Sequence, residues 1–425
     1  MDIQSILKSL ENCPCGREHT FDTERVEIGR GLVKKTGDIL AESHFPKKML
    51  LVADAKTLGA SAGILESLEV NGFELKKLIY DCMEYARVEQ VREIEATAAD
   101  CDAILSVGTG SLNDICRVAA YRTEKDFCIF ATAPSMDGFA SDTAPIIENS
   151  FKSSWQAKQP RIIIADTEIL AAAPDELKSA GFGDMMAKYI GLVDWRIAQL
   201  LIGEYYCDRV AAITQEAVDR IVALADRILD KDPEAAGAVM EALVLTGLAM
   251  KLAHCSRPAS GSEHVVSHYW ECHKVIAGIW PEYHGKKVGV ATVICNRIYR
   301  NIAERNLTVK AQKDPTDWAL VDSKFHERLR ADVKRLNTPT ITDEVSPESL
   351  EKNWDKIRAI ILETLPSDET LIKLMKTAGA VTEPEDVHIS PDFLLDGLRY
   401  SPYMRYRLTL LRLLPMLGMD VAEYI

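Results

Sequence analysis

The sequence predicts an α/β domain with a mostly parallel sheet at the N-terminal end, followed by an all-α domain at the C-terminal end. In the first part of the chain, short apolar segments alternate with helical stretches, which is typical of βαβ units. From residue 176 onward, apolar residues recur at helical spacing and no segment has a convincing strand pattern. Because 425 residues exceed one ordinary core, we expect two domains, at 1–174 and 175–425.

Four short apolar segments of the first domain predict strands that are buried in a parallel sheet. They span residues 49–54, 102–107, 127–131 and 161–166. Helical stretches at 58–70 and 88–99 separate the first two of them. Ligands of such sheets bind beyond the carboxyl ends of the strands, so the polar residues found there are the first functional candidates.

Two features at these strand ends predict that the N-terminal domain binds a nucleotide. The segment Gly108-Thr-Gly-Ser-Leu-Asn-Asp114 follows the second strand and leads into a helix. Its glycines let backbone N–H groups approach a phosphate, although the third glycine of the full dinucleotide fingerprint is missing. Asp54, at the end of the first strand, is the type of carboxylate that binds a ribose hydroxyl. An ordinary strand–helix turn and a helix-capping acid are the respective alternatives.

A loop after the third strand is a further candidate for lining a cofactor or substrate pocket. The segment Thr132-Ala-Pro-Ser-Met-Asp-Gly-Phe-Ala-Ser-Asp142 contains small and hydroxyl residues, a proline and a glycine, which mark a loop. Its polar candidates are Ser135, Asp137 and Ser141.

One acid and two histidines of the second domain predict a metal site. Asp184 follows two glycines and is expected in the first turn of a helix over residues 181–196, where the helix dipole would also favour an acid. His264 and His284 both lie in glycine-flanked contexts. One carboxylate with two imidazoles is a common composition for a catalytic metal site with open positions. His268 is one turn after His264 and completes this site or packs as a structural histidine.

The rest of the C-terminal half predicts helices, of which the clearest span 210–229, 235–253, 262–277 and 286–294. His273 is expected to be structural or solvent-facing. The proline-rich segment 312–390 predicts short helices and loops on the outside. The tail 394–417, in which arginines alternate with leucines, is expected to pack in the core.

Composition excludes several classes of partner. The net charge is −14 and no basic stripe is present, which argues against a nucleic-acid partner. No apolar run reaches the length expected of a membrane span, and the N-terminus lacks the apolar core of a signal peptide, so no membrane partner and a cytoplasmic location are expected. The ten cysteines are mostly scattered, as expected of reduced residues. The exception, Cys13-Pro-Cys-Gly-Arg-Glu-His19, is able to bind zinc but lacks a second ligand pair, so a tight turn is the preferred interpretation.

Six segments in this order resemble the sn-glycerol-1-phosphate dehydrogenases, in particular their bacterial branch. This family belongs to the superfamily of glycerol dehydrogenases, iron-containing alcohol dehydrogenases and dehydroquinate synthases. The matching segments are Gly108–Asp114, Thr132–Ser141, Gly181–Tyr189, Gly203–Cys207, Ser260–His268 and His284-Gly285. The resemblance implies an α/β N-terminal nucleotide-binding domain with a mostly parallel sheet, followed by an all-α C-terminal domain that binds metal and substrate.

The resemblance also implies a role for each matching residue. Asp184, His264 and His284 would hold the metal ion. Asp137 and His268 would act in catalysis and contact the substrate, as would Asp184 through the metal site. The residues expected to bind the cofactor are Asp54, Gly108, Thr109, Gly110, Ser111, Leu112, Thr132, Ala133, Pro134, Ser135 and Ser141.

The implied reaction is the reversible reduction of dihydroxyacetone phosphate to sn-glycerol 1-phosphate by NAD(P)H, with one divalent ion of zinc, nickel or iron. Asp54 favours NADH, because a carboxylate there would repel a 2′-phosphate. Lys188 and Lys274 are the candidates for the substrate phosphate, and a homodimer or larger homo-oligomer is expected. The alternatives are a polyol dehydrogenase or dehydroquinate-synthase-like enzyme of the same superfamily, or a nucleotide-binding regulatory protein with a dead site.

Overall fold

The computed structural model describes residues 2–305 and 307–425 and divides into two compact units. Unit 1 comprises Met1–Glu148, Lys152–Gly181 and Glu216–Cys255. Unit 2 comprises Asn149–Phe151, Phe182–Gln215 and Ser256–Ile425. This division differs from the predicted single boundary after residue 174, because a later stretch of the chain belongs to unit 1.

The predicted parallel sheet is present in unit 1, and the predicted fold class is confirmed. Among the described residues, six parallel strands form one sheet in the order β1-β8-β5-β4-β2-β3. A separate hairpin consists of β6 and β7. The strands are β1 Arg25–Gly29, β2 Lys48–Asp54, β3 Glu74–Tyr80, β4 Ala103–Gly108, β5 Asp126–Ala131, β6 Thr143–Glu148, β7 Phe151–Gln156 and β8 Ile162–Asp166.

Helices make up most of the remaining regular structure. They are α1 Ile3–Ser9, α2 Thr36–Glu42, α3 Ala55–Ala60, α4 Ile64–Val70, α5 Val88–Thr97, α6 Gly110–Arg122, α7 Thr167–Ala172, α8 Asp175–Met186, α9 Lys188–Ile202, α10 Asp208–Val222, α11 Pro233–Ala253, α12 Ser262–Ile276, α13 His284–Glu304, α14 Trp318–Ser323, α15 Glu327–Leu336, α16 Pro347–Lys352, α17 Trp354–Thr364, α18 Asp368–Thr377, α19 Pro391–Tyr400 and α20 Leu410–Leu413.

The central strands are apolar on both faces because helices cover both sides of the sheet. Leu50 and Ile129 face one hydrophobic cluster, and Leu51 and Phe130 face the other. Residues of α11 such as Met240 join the first cluster. This arrangement explains why the central strands have continuous apolar sequences rather than alternating ones.

Helix α11 passes a length and composition test for a membrane span, which corrects the expectation that no apolar run is long enough. Among the described residues it alone does so, and 83% of its most apolar window is buried inside the protein. Its apolar surface therefore packs in the core of unit 1. A helix that faced a bilayer would instead have an apolar surface exposed on the outside of the protein.

The core of unit 2 is built from helices throughout the second half of the chain. Trp270 of α12, Ile298 of α13 and Ile361 of α17 belong to one cluster. Segment 312–390 does form short helices, but their apolar residues join this cluster instead of lying only outside. The tail comprises the end of α19, the short helix α20 and two short 3-10 turns, and Leu410 and Leu413 are buried as expected.

The predicted helix over residues 181–196 is in fact two helices. Helix α8 begins at Asp175 and α9 begins at Lys188, so Asp184 lies in the last turn of α8. The two glycines that were expected to start a helix lie inside it. A favourable helix dipole therefore does not account for an acid at this position.

Candidate metal and cofactor sites

Asp184, His264 and His284 come together in unit 2 as the sequence predicts. Their ligand atoms all lie within 4.8 Å of one another, although 80 residues separate the first two along the chain. Asp184 is contributed by the end of α8, His264 by the first turn of α12 and His284 by the first residue of α13. Three helix ends thus supply one oxygen and two nitrogen donors to a common point.

The distance between Asp184 and His264 fits two ligands of one ion. Asp184 Oδ1 lies 3.5 Å from His264 Nε2, which is long for a hydrogen bond between them. Two donors that each lie about 2.0–2.1 Å from a tetrahedral ion are about 3.4 Å apart. The donor set and its spacing therefore suit a divalent ion that accepts oxygen and nitrogen ligands.

Glu263 fixes the nitrogen of His264 that is available to a metal. Its Oε1 lies 2.6 Å from His264 Nδ1 and also accepts a hydrogen bond from the Gly261 N–H at 2.9 Å. Because the carboxylate accepts from Nδ1–H, Nε2 keeps its lone pair on the side of Asp184. A carboxylate behind a ligating imidazole is the usual arrangement at metal sites, and it raises the basicity of the ligand.

Lys188 keeps Asp184 ionised. Its Nζ lies 3.0 Å from Asp184 Oδ1, and both side chains are fully buried. Burial alone would raise the pKa of Asp184, but Lys188 and the imidazoles of His264 and His284 outweigh burial and hold that pKa well below its ordinary value. Similarly, burial lowers the pKa of His264, whereas Asp184 and Glu263 raise it, and the net shift is upward.

His268 lies next to the three candidate ligands. Its ring is stacked on that of His284 at a centroid distance of 5.8 Å and lies 6.1 Å from the ring of His264. Its Nδ1 is 3.3 Å from Nη2 of Arg405. Arginine only donates, so Nδ1 accepts, and the neutral ring carries its proton on Nε2. His268 is thus set up as a hydrogen-bond donor through Nε2.

The glycine before Asp184 permits close packing of α8 on α13. A Cβ on Gly183 would lie 2.7 Å from the Gly285 carbonyl oxygen and 3.3 Å from Cα of Gly289. Only a residue without a side chain allows this approach. The close contact positions Asp184 relative to His284, because both lie within one residue of it.

The predicted cofactor residues of unit 1 lie at the carboxyl ends of three neighbouring strands. Asp54 ends β2, Gly108 ends β4, and Thr132 follows β5. The sheet pairs β4 with both β2 and β5, and chain order reverses between β2 and β4, since β3 lies on the other side of β2. This reversal is where open parallel sheets bind their ligands.

Helix α6 begins at this edge of the sheet, directly after β4. A Cβ on Gly108 would clash with the side chain of Leu112 in the first turn of α6, and Gly110 is the first residue of that helix. The N-cap residue, Thr109, makes no capping hydrogen bond and instead contacts the Ser135 hydroxyl. Ser111 occupies the first turn. The arrangement suits an anion at the helix N-terminus.

Some predicted cofactor contacts already have structural roles. Asp54 caps α3 by accepting from the Thr57 N–H at 2.8 Å, which was the alternative interpretation of this acid. The Ser141 hydroxyl donates to the Thr143 carbonyl at 2.7 Å and accepts from Arg117 at 3.0 Å.

The remaining loop residues are buried near the end of β5. Ala133, Ser135 and Asp137 are each at most 8% exposed. A Cβ on Gly181 would overlap the Pro134 carbonyl oxygen, so α8 packs directly on this loop. Direct contact of these residues with a cofactor or substrate stays a prediction.

Comparison with known proteins assigns the family. A model described as iron-containing alcohol dehydrogenase matches residues 27–174. The chain is 32% identical over 397 residues to a glycerol-1-phosphate dehydrogenase [NAD(P)+] from Bacillus subtilis, covering 92% of this chain and 91% of the relative. The chain belongs to the glycerol-1-phosphate dehydrogenase family. A second member, from Geobacillus stearothermophilus, is 30% identical and covers 95% of each chain.

Solved structures confirm the fold. A probable glycerol dehydrogenase from Sinorhizobium meliloti superposes with a TM-score of 0.64 at 15% identity, covering 95% of this chain and 99% of that one. The relatives and the family model confirm the predicted family membership and enzyme class, a metal-dependent NAD(P)-linked dehydrogenase.

The sequence did not reveal two residues of the candidate site, Glu263 and Arg405. It favoured two others, Lys188 and Lys274, for binding the substrate phosphate. Glu263 precedes a predicted ligand, and this adjacency was the available signal. Arg405 is 137 residues from His268, and no local pattern connects them. Lys188 is engaged with Asp184, and Lys274 donates to the Val387 carbonyl at 2.5 Å. Because both lysines already contact other groups, neither is favoured for binding the substrate phosphate.

Proposed function

We propose that the protein catalyses the reversible NAD(P)H-linked reduction of dihydroxyacetone phosphate to sn-glycerol 1-phosphate. The observation that carries the proposal is the convergence of Asp184, His264 and His284, with Glu263 behind His264. The substrate follows from the names of the relatives, which are matched over nearly the whole chain.

Residues of unit 2 are proposed to hold the ion and to contact the oxygen that is protonated. When bound, a divalent ion supplies Lewis-acid stabilisation of the negative charge that develops on the carbonyl oxygen during hydride transfer. Asp184, His264 and His284 hold that ion, and Lys188 keeps the carboxylate ionised. His268, held by Arg405 at Nδ1, is proposed to donate a hydrogen bond from Nε2–H to the developing alkoxide, and a proton from solvent completes the alcohol. Zinc, nickel and iron(II) all suit the donor set.

Arg405 is proposed to bind the substrate phosphate. Its guanidinium lies beside His268 and is partly buried, and burial lowers its pKa, so an anion beside it would be favourable. A planar guanidinium also matches the geometry of phosphate oxygens.

This assignment is tested by comparing two substrates. The variant Arg405→Gln is expected to raise KM for dihydroxyacetone phosphate by about 10–100-fold while changing KM for dihydroxyacetone little. Arg399→Gln, which removes an exposed arginine paired with Asp420, serves as the control. Equal effects on both substrates would remove Arg405 from this role.

The cofactor is proposed to bind at the ends of β2, β4 and β5, with its pyrophosphate at the N-terminus of α6. Asp54 favours NADH over NADPH, because its carboxylate would repel the 2′-phosphate of NADPH. Equal kcat/KM values with the two cofactors would remove that preference. Asp137, at the same strand ends, is proposed to contact the substrate. A cytoplasmic location and a homo-oligomer complete the proposal.

The decisive experiment measures oxidation of NADH by dihydroxyacetone phosphate in metal-loaded and chelated enzyme, with chiral analysis of the glycerol phosphate. Activity is expected only in the loaded enzyme, with sn-glycerol 1-phosphate as the product. A higher kcat/KM with dihydroxyacetone than with its phosphate would instead identify a polyol dehydrogenase. Formation of the 3-phosphate enantiomer would also reject the proposed reaction.

A further inference from the structure

We propose that Cys13, Cys15 and His19 form a second metal site in unit 1, one that binds zinc and stabilises the N-terminal segment. Their ligand atoms all lie within 4.8 Å of one another. Thiolates and imidazole are the donors that zinc prefers in structural sites. This set differs in kind from the oxygen and nitrogen donors of the Asp184 cluster, and nothing in the dehydrogenase reaction uses it.

A tight turn brings the two cysteines together. The Gly16 N–H donates to the Cys13 carbonyl at 3.3 Å, so Pro14 and Cys15 occupy the centre of a four-residue turn. Gly16 has a φ of +78°, a conformation that favours glycine. The turn expected from the sequence and the metal site are therefore compatible, because the turn places both sulfurs within reach of one ion.

His19 is the third donor of the cluster. Its ring is buried, and Nδ1 lies 2.8 Å from the Leu252 carbonyl oxygen. A carbonyl only accepts, so Nδ1 carries the proton and Nε2 keeps its lone pair. Nε2 points to the cysteines and lies 3.2 Å from Cys15 Sγ. A backbone carbonyl that fixes the free nitrogen of the ring is the usual support for a zinc-bound histidine.

The segment around the site needs such a clamp. Between α1 and β1, residues 10–24 contain neither helix nor strand. The segment is held to the end of α11 by the Leu252 contact and by His254 Nε2, which lies 3.2 Å from the Glu18 carbonyl. One bound zinc ion would stabilise this segment, which has no hydrogen bonds of a helix or a sheet to hold it. Water or one further thiolate of the chain would fill the fourth position.

Two other interpretations of the cluster make different predictions. A reduced Cys15–His19 hydrogen bond would leave both thiols reactive whether or not zinc is supplied. A disulfide between Cys13 and Cys15 would remove both thiols, although the structure does not join them. Zinc binding instead deprotonates the thiols and protects them from alkylation.

The test uses the full-length His264→Ala variant, so that the proposed catalytic site does not contribute metal. After zinc loading and dialysis, about one zinc per chain is expected, with Cys13 and Cys15 protected from maleimide in peptide mass spectra. Cobalt loading is expected to produce a sulfur-to-cobalt charge-transfer band, whose intensity reports the number of thiolates. Exposed Cys82 is the internal control and should be alkylated under all conditions.

A second variant links the metal to the residues. Cys15→Ser in the same background is expected to lose the zinc and most of the cobalt band, whereas Cys82→Ser retains both. Unprotected Cys13 and Cys15 in zinc-loaded protein, or an oxidised pair, would overturn the proposal, and neither requires a variant of the cluster to fold. Because a native Asp184 cluster is absent from all these samples, failure here is distinguishable from failure of the proposed reaction.

Discussion

At the scale of single residues, Glu263 determines how His264 is presented. The carboxylate holds Nδ1–H and adds negative charge close to the ion site. The variant Glu263→Gln is expected to weaken metal binding by about 10–100-fold, since partners behind metal ligands typically have this effect. Competition with a chelator measures it. Glu304→Gln, on the surface of unit 2, should leave metal affinity unchanged. An affinity equal to that of the wild type would show that Glu263 only fills space.

His273 makes unit 2 sensitive to acid. Burial lowers its pKa to about 4, with a contribution from His326, and its ring packs on Tyr269, Phe325 and Phe393. Between pH 6.5 and 4 the unfolded chain takes up a proton that the folded protein resists, so stability falls as the pH falls. From pH 7 to 5 this loss is about 2 kcal/mol.

The variant His273→Phe tests this assignment, because phenylalanine keeps the ring packing and cannot be protonated. Free energies of unfolding at pH 7 and 5 are compared in metal-free protein, so that loss of the ion does not contribute. The variant is expected to lose about 2 kcal/mol less than the wild type. Identical losses would show that other groups account for the acid sensitivity.

The sequence could predict which residues form the candidate metal site but not all of the contacts that support them. Asp184, His264 and His284 were accessible because their types and glycine contexts are distinctive. The donor to His268 comes from a segment 137 residues further along the chain, a contact that no local spacing encodes. The shift of Asp184 from the first to the last turn of its helix shows the same limit, since glycines inside a helix resemble glycines before one.

At the scale of elements, the contact between α8 and α13 sets the geometry of the site. The variant Gly183→Ala is expected to destabilise the protein by about 1–3 kcal/mol, because the new Cβ meets backbone atoms that cannot turn away. Metal affinity should fall as well, since Asp184 and His284 would move apart. Calorimetry and metal titration measure both.

A helical glycine with open space around it provides the comparison. Gly59 in α3 has no atom within 4 Å of an added Cβ, so Gly59→Ala should be neutral or stabilise by up to about 1 kcal/mol. If Gly183→Ala were equally well tolerated, the close packing would not position the ligands.

Central strands were predictable and peripheral ones were not. The central strands are buried on both faces, which gives continuous apolar sequences. Strand β1 is at the edge of the sheet and contains Arg25 and Glu27, which pair with each other at 2.7 Å, so its sequence resembles a polar loop. The β6–β7 hairpin was missed as well, and strand order was not encoded by any local pattern.

At the scale of the whole molecule, the chain returns to unit 1 at Glu216. Met240, Val244 and Leu248 of α11 belong to the same hydrophobic cluster as the sheet. A fragment of residues 1–174 is therefore expected to lack a cooperative thermal transition and to aggregate, because the surface under α11 is exposed. The same fragment extended to 181 and joined to 216–255 by a flexible linker should unfold cooperatively. Cooperative unfolding of the shorter fragment would show that the sheet does not need α11.

The apolar character of α11 also has a consequence for synthesis. An apolar helix of this length avoids aggregation and membrane insertion only if the surface that buries it has already been synthesised. The ribosome releases every strand of the sheet before residue 233. Because synthesis proceeds from the N-terminus, the strands of the sheet are available to bury this helix when it emerges. A circular permutant that begins at residue 233 would expose the helix first, and we expect it to associate with membranes or chaperones in the cell.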